Sequence, residues 1–197
     1  MNKETIYLVE QKKKYEEAWL CGEQSNSGTA YPFAKYIHSL CETGTMLDMG
    51  FGNGLVVSFL HEQGYDVKGV DITLNGLTRK FVNFRNEGIP EKITDEKLYV
   101  EAPLWNLPFE DNSFDFTFSC DVMEHIPAKM LNKTILEIER VTRHRTHHVI
   151  ACFKSMDFHP SVFPIDWWKG KFSQIEKNIR IGIESRANFM KRINENG

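Results

Sequence analysis

The amino-acid sequence predicts an α/β domain: a doubly wound, mostly parallel sheet of about seven strands, closed at its carboxyl end by an antiparallel hairpin. Three observations lead there. Residues 45–60 run from an apolar strand (Met46, Leu47, Met49) through three alternate glycines, Gly50, Gly52 and Gly54, into a stretch where Leu55, Val56, Phe59 and Leu60 recur at helical spacing. A second short strand at 66–71 follows a glycine stop at Gly64 and ends in the carboxylate of Asp71. Beyond it, short β-rich runs alternate with helix-period stretches as far as residue 153, the sequence form of a parallel sheet with helical crossovers.

A chain of 197 residues fits one domain with a real core, and 41% hydrophobic against 26% charged residues reads as globular. The net charge of −3 gives no general electrostatic reason to bind nucleic acid, although a local basic groove stays open. Cys21, Cys41, Cys120 and Cys152 form no CxxC pair, which argues against a zinc knuckle or a disulfide scaffold. No apolar run approaches ~18 residues, so no membrane span is expected. The polar, charged start is unlike a secretory signal, and a reducing cytoplasm is the expected location.

The glycine stretch carries the chemistry. A strand, a glycine turn and a helix make the first half of a nucleotide-binding βαβ unit, because the backbone must turn tightly and approach a ligand with no Cβ in the way. Asp71 lies 23 positions after Asp48, near the ~20-residue offset at which an acid meets a ribose diol. A dinucleotide loop would need glycine at position 55, which is Leu55. The pattern Asp48-x-Gly50-x-Gly52-x-Gly54 instead resembles motif I of the class I S-adenosylmethionine-dependent methyltransferases. The bland alternative is a glycine turn in a βα unit without a ligand. The resemblance implies a Rossmann-like fold and S-adenosylmethionine held by Asp48, Gly50, Phe51, Gly52, Gly54, Asp71 and Ile72.

Ahead of that unit, residues 1–20 mix lysines and glutamates with one apolar stripe and read as a surface helix at the domain edge. Gly22 to Thr29 is a loop, and Thr29 can cap a helix through Leu40 with Pro32 in its first turn. In the family such a segment often folds over the methyl donor, so residues 1–43 are expected to form a helical lid on a methyltransferase domain at 44–197. Trp19, Ser25, Asn26 and Tyr31 are the lid candidates, against plain packing or turn roles for each.

After Asp71, Thr73 is a plausible N-cap for a helix with Leu74, Leu77, Phe81 and Phe84 on one face, ending near Gly88. A third strand is expected at 97–101. Residues 102–127, which include LPFEDNSFD and DVMEHIP, closely resemble a second conserved block of the same superfamily. Many members carry an acid before the LPF element for the adenine amine; here Pro103, Leu104, Trp105 and Asn106 occupy that place. Leu104 and Trp105 are therefore assigned an apolar or stacking contact to adenine, with a core aromatic as the alternative for Trp105. Residues 114–120 alternate as a strand and end at Asp121. Because open α/β sheets bind ligands outside the carboxyl ends of their strands, Asp48, Asp71 and Asp121 should gather on one rim.

Pro127 opens a helix carrying Met130, Leu131, Ile135, Ile138 and Val141. The tract from Arg143 to His148 reads either as an RNA-binding or metal tract or as cationic side chains at that helix's carboxyl end, which the dipole favours. A fifth strand is expected at 149–153, a helix with Trp167, Trp168 and Phe172 behind Asp166, and a closing hairpin from the alternation of Ile179, Ile181 and Ile183 and then Ala187 and Phe189.

Asp121, Glu124 and His125 follow the spacing D-x-x-E-H, and His159 sits in a later loop on the same rim. Carboxylates and imidazoles together suit a divalent ion. The array resembles the metal site of small-RNA 2′-O-methyltransferases and of ubiquinone-pathway catechol O-methyltransferases, with Asp121 where those carry Glu. That implies Mg²⁺ or Mn²⁺ at Asp121, Glu124, His125 and His159. The alternative is a helix-terminal Glu124 and a hydrogen-bonded His125 with no metal, in which case His125 or His159 serves as general base beside Asp121. The Asn/Asp-Pro-Pro-aromatic turn of amino-DNA methyltransferases is replaced by Cys120-Asp-Val-Met. The expected activity is O-methylation of a small hydroxylated molecule. N-methylation of a small amine, 2′-O-methylation of an RNA end and a non-catalytic S-adenosylmethionine-binding partner are the alternatives.

Overall fold

The computed structural model describes residues 3–21, 29–40, 43–78, 92–154 and 158–195. Its elements run α1 (Lys3–Cys21), α2 (Ala30–Ser39), β1 (Thr45–Met49), α3 (Leu55–Glu62), β2 (Asp66–Asp71), β3 (Tyr99–Glu101), β4 (Phe114–Cys120), α4 (Ala128–Val141), β5 (Thr142–Ile150), α5 (Ile165–Phe172), β6 (Arg180–Ser185) and α6 (Arg186–Glu195). The strands form one sheet in the order β3-β2-β1-β4-β5-β6, and every described neighbour pair is parallel. Chain order reverses between β1 and β4, and that switch point is where such sheets open a crevice at their carboxyl ends.

Each face of the sheet carries its own core. Met46, Phe116 and Phe118 pack with α2, α3 and α6 through Phe33, Ile37, Leu60 and Phe189. Leu47 and Met49 pack on the other side with Trp105, Ile135, Ile138, Trp168 and Phe172. The aromatic rows of β4 thus supply the period-2 pattern that makes the strand legible.

Three expectations change. The closing antiparallel hairpin is absent from the described residues: β6 pairs with β5 in parallel, the described sheet has six strands, and the chain then continues as α6. Phe189, Met190 and Ile193, at helical spacing, all pack into the core cluster of Phe33, and the Ser185 hydroxyl caps the first turn by accepting from the Asn188 amide at 3.2 Å. The apparent alternation was a sparse sampling of that helical face.

The tract from Arg143 to His148 is neither loop nor helix end but the body of β5. Thr142, Thr146 and His148 on one of its faces are buried, polar and hydrogen-bonded to one another and to β4. Thr117 Oγ1 meets Thr142 Oγ1 at 2.8 Å and Thr146 Oγ1 at 2.9 Å, and His148 bridges Thr146 and Ser119, both at 2.7 Å. A strand that buries hydroxyls and an imidazole shows no apolar alternation, so its start went unread. After Asp71, the described chain forms only a 3₁₀ turn, Asn75–Thr78, with the Thr73 hydroxyl accepting from the Asn75 amide at 3.2 Å. Phe81, Phe84 and Gly88, assigned to a helix there, lie outside the described residues, as do Ser25 and Asn26.

Candidate functional site

A cavity of about 120 Å³ opens at the carboxyl ends of β1, β2 and β4. One water needs ~10–15 Å³ on that measure, so the space suits an organic ligand more than a lone ion. Its floor is the turn after β1. Gly50 takes φ +83° and has the Val122 side chain where a Cβ would go; Gly54 takes φ +82° at the start of α3, with the Tyr99 hydroxyl 2.8 Å from a built Cβ. Left-handed backbone and close neighbours together restrict both positions to glycine.

Asp71, at the end of β2, lines the cavity. Its carboxylate accepts from the Gly52 amide at 2.9 Å and the Ile72 amide at 2.7 Å. Burial nonetheless raises its pKa to about 6 against the pull of those amides. The Thr73 amide is a third backbone partner, and of the about four lone-pair sites of a carboxylate one remains for a hydroxyl arriving from the cavity. Asp48 lies behind the turn at 3% exposure. Burial, with the Asp71 charge added, holds its carboxyl well above the usual range, and Oδ2 has no hydrogen-bond partner among the described residues. Phe51 is also buried, edge-on to Tyr99 at 4.9 Å.

One wall is apolar. Ile72, Leu104 and Trp105 line it, and Trp105 is also a core residue at 2% exposure, with Tyr7 5.9 Å away. The core and ligand-facing readings of Trp105 are therefore compatible. Helix α1 forms the roof: Gln11, Tyr15 and Trp19 point into the cavity at four-residue spacing, one helical face. Tyr31, by contrast, packs edge-on to Phe59 at 5.7 Å.

The wall opposite β2 holds Asp121, Val122 and His125. Asp121 takes φ +56°, a left-handed conformation that Asp tolerates better than most residues. Its Oδ2 lies 3.3 Å from Arg186 Nε of α6. His125 Nδ1 lies 3.0 Å from the Tyr15 hydroxyl, and the backbone carbonyl of Phe158 accepts a second hydrogen bond from the ring. Burial, and then the neighbouring His159, depress the imidazole to about 3, so it is neutral at physiological pH. The Tyr15 phenol is raised by burial and by the Asp71 and Glu124 charges and stays protonated.

Glu124, His125 and His159 each offer a ligand atom within 4.8 Å of the others. Glu124 is fully buried; the amides of Glu124 and Ala151 face its carboxylate, yet neither oxygen closes a hydrogen bond of good geometry. Burial and the Asp121 charge push its pKa up. His159 Nδ1 bonds the Phe153 carbonyl at 2.7 Å, which leaves Nε2 as the acceptor, and its ring meets His125 edge-on at 4.7 Å. The donor set suits a divalent ion. Asp121 stands outside this trio, and of the three only His125 lines the cavity.

Sequence reasoning missed Tyr15 and Arg186. The spacing of Gln11, Tyr15 and Trp19 could have marked the first; Arg186 carries no signal, because its partner is 65 positions away.

A protein-family profile described as a methyltransferase domain matches residues 47–150. Phosphoethanolamine N-methyltransferase 2 of Caenorhabditis elegans is 37% identical over 87 residues, 42% of this chain and 18% of that protein. The sterol 4-C-methyltransferase strm-1 of the same organism is 33% identical over 104 residues, 53% of this chain and 29% of that protein. An uncharacterized Haemophilus influenzae protein is 28% identical over 155 residues, 71% of this chain and 57% of its own length. The match thus spans just over half of that relative and less than a third of the other two. Among solved structures, Burkholderia thailandensis 1,6-didemethyltoxoflavin-N1-methyltransferase, with 1,6-didemethyltoxoflavin and S-adenosylhomocysteine bound, superposes with TM-score 0.57 at 17% identity, covering 80% of this chain and 67% of that one. At that identity the likeness concerns the fold.

Proposed function

The chain belongs to the methyltransferase-domain family, and from that premise we propose that it transfers a methyl group from S-adenosylmethionine to a small molecule. The observation that carries the reading is a single cavity with the glycine turn and Asp71 at one end and Tyr15, Asp121 and His125 at the other. In this reading Asp71 accepts from a ribose hydroxyl, Ile72, Leu104 and Trp105 flank the adenine, and the turn from Gly50 to Gly54 lies under the methionine portion. The unpartnered oxygen of the buried Asp48 behind the turn, and the bare backbone that Gly50 and Gly52 present to the cavity, fit such a ligand. Residues 1–43 act as the lid on the domain at 44–197, a role supported by α1 over the cavity; α2 contributes Phe33 and Ile37 to the core beneath.

The sulfonium, when bound, supplies an electrophilic methyl. The acceptor's lone pair forms the new bond as the carbon–sulfur bond breaks, and the acceptor then sheds a proton. The enzyme's part is proximity and orientation. Tyr15 and His125 hold a hydrogen-bonding wall against the acceptor, and α1 excludes water.

For the acceptor atom, two readings have separate support. O-methylation, the reading the sequence favours, needs the hydroxyl made more acidic. His125, with a pKa of about 3, is a weak base for that work. Glu124, His125 and His159 would hold the divalent ion that lowers the hydroxyl's pKa. N-methylation of a neutral amine needs no such help, and the hydrogen bonds already engaging His125 support it. RNA is the weaker partner: Arg143 is spent on Asp115, at the end of β4 away from the cavity.

Two tests follow. Calorimetry should detect S-adenosylhomocysteine and not NAD; NAD alone binding would overturn the assignment, and binding without turnover on any pooled metabolite would favour a non-catalytic partner. Chelation should abolish turnover, and added Mg²⁺ or Mn²⁺ restore it, if the acceptor is a hydroxyl. Turnover that survives both chelation and His159→Ala selects the amine.

A further inference from the structure

The turn at residues 73–78 is packed against the glycine loop more closely than any side chain would allow. Gly76 is buried, and a Cβ built on it would overlap the carbonyl oxygen of Gly52 and stand 3.1 Å from Trp19 Cε2. Backbone meets backbone there, so no rotamer change relieves an added methyl. The next residue, Leu77, has its Cδ2 2.9 Å from where a Gly54 Cβ would lie, so the turn touches the loop at two alternate glycines.

The same turn is tied to α1. Trp19 covers Gly52 and Gly76 together, at 8% exposure. The Leu74 amide bonds Glu101 Oε2 at 3.3 Å, and the other Glu101 oxygen pairs with Lys12. Lys12 and Trp19 are seven residues apart, about two helical turns, so one face of α1 rests on the turn directly and through Glu101. Asp71 and Ile72, which face the cavity, lead straight into it.

We infer that this turn couples the methyl-donor site to α1, with Gly76 as its positioning residue. The inference rests on the methyl-donor reading above. A ligand that orders the loop from Gly50 to Gly54 and Asp71 also fixes the seat on which α1 docks. By reciprocity, α1 docking raises ligand affinity by the factor the ligand adds to α1 docking.

The experiment uses the full chain with S-adenosylhomocysteine as probe. Calorimetry gives the affinity, and hydrogen exchange over residues 3–21 reports α1. In the wild type the ligand should slow exchange in α1. Gly76→Ala should bind roughly tenfold or more weakly, the scale of a coupling between sites, and α1 should gain no protection at saturation. Glu101→Gln leaves the Gly52–Gly76 contact intact and should hold affinity better while losing much of the induced protection. If Gly76→Ala does not fold, Glu101→Gln decides alone. Full induced protection of α1 in every variant that folds overturns the coupling, as does wild-type binding with no change in α1. Absence of any wild-type binding instead sinks the methyl-donor reading, and this inference with it.

Discussion

Replacing Asp71 by asparagine should weaken S-adenosylhomocysteine binding by roughly 10- to 100-fold near neutral pH, as expected when hydrogen bonds to a charged acceptor, about 1.5–3 kcal/mol, are lost. The sharper signature is the pH dependence. Asp71 in the free protein has its pKa raised to about 6 by burial, and on the proposed reading it is the ionised carboxylate that accepts from the ribose. Wild-type affinity should therefore be flat above about pH 7 and fall as pH drops through about 6, because the proton that binds Asp71 competes with the ligand. Asp71→Asn has no such proton and should show no step there. His125, held at about 3 by burial, does not titrate in that window, and the buried Asp48 and Glu124 carboxyls, both raised, are present in wild type and variant alike. Calorimetry across pH 5–8 on both proteins is the measurement; an equal step in the variant would assign the limb to another group.

Phe189→Ala should cost about 3–5 kcal/mol of folding stability, the usual range for emptying a buried phenylalanine site. Phe189 has no exposed surface and meets Phe33 at 5.8 Å and Tyr36 at 5.6 Å, edge-on to both. For a chain of this length, each kcal/mol lowers the melting temperature by about 2–4 °C, so a drop of roughly 6–20 °C is expected. Ligand affinity in the folded variant should change far less than stability, since Phe189 itself packs on the face of the sheet held by α2 and α3 and only Arg186, at the start of α6, reaches Asp121. A loss below about 1 kcal/mol would mean that α6 is not the core element its packing makes it.

What the sequence determined by itself is whatever local chemistry demands. The strand, glycine turn and helix from 45 to 60 are legible because only glycine takes left-handed backbone under a close neighbour, and Asp71 because a parallel sheet ends its second strand beside that turn. The helical face of α4 follows from burial at a period of 3.6 residues, and β4 is legible because its aromatic residues alternate with polar ones, although Thr117 and Ser119 are buried too. Tertiary structure decided the rest. The start of β5 was hidden because its inward residues are hydroxyls and a histidine whose partners lie on β4, and no local pattern announces a hydrogen bond across strands. The tail became a helix because the apolar pocket formed by Phe33, Tyr36 and Phe118 exists only once α2 and β4 have met. Spacing put Asp121 in one set with Glu124, His125 and His159; in the fold the ligand atoms that cluster are those of the last three, and the Asp121 carboxylate lies beside Arg186 of α6, a neighbour 65 positions away. Tyr15 joins His125 across 110 positions because α1 crosses the sheet's carboxyl rim, a placement fixed by packing between elements and written in no single stretch of the chain.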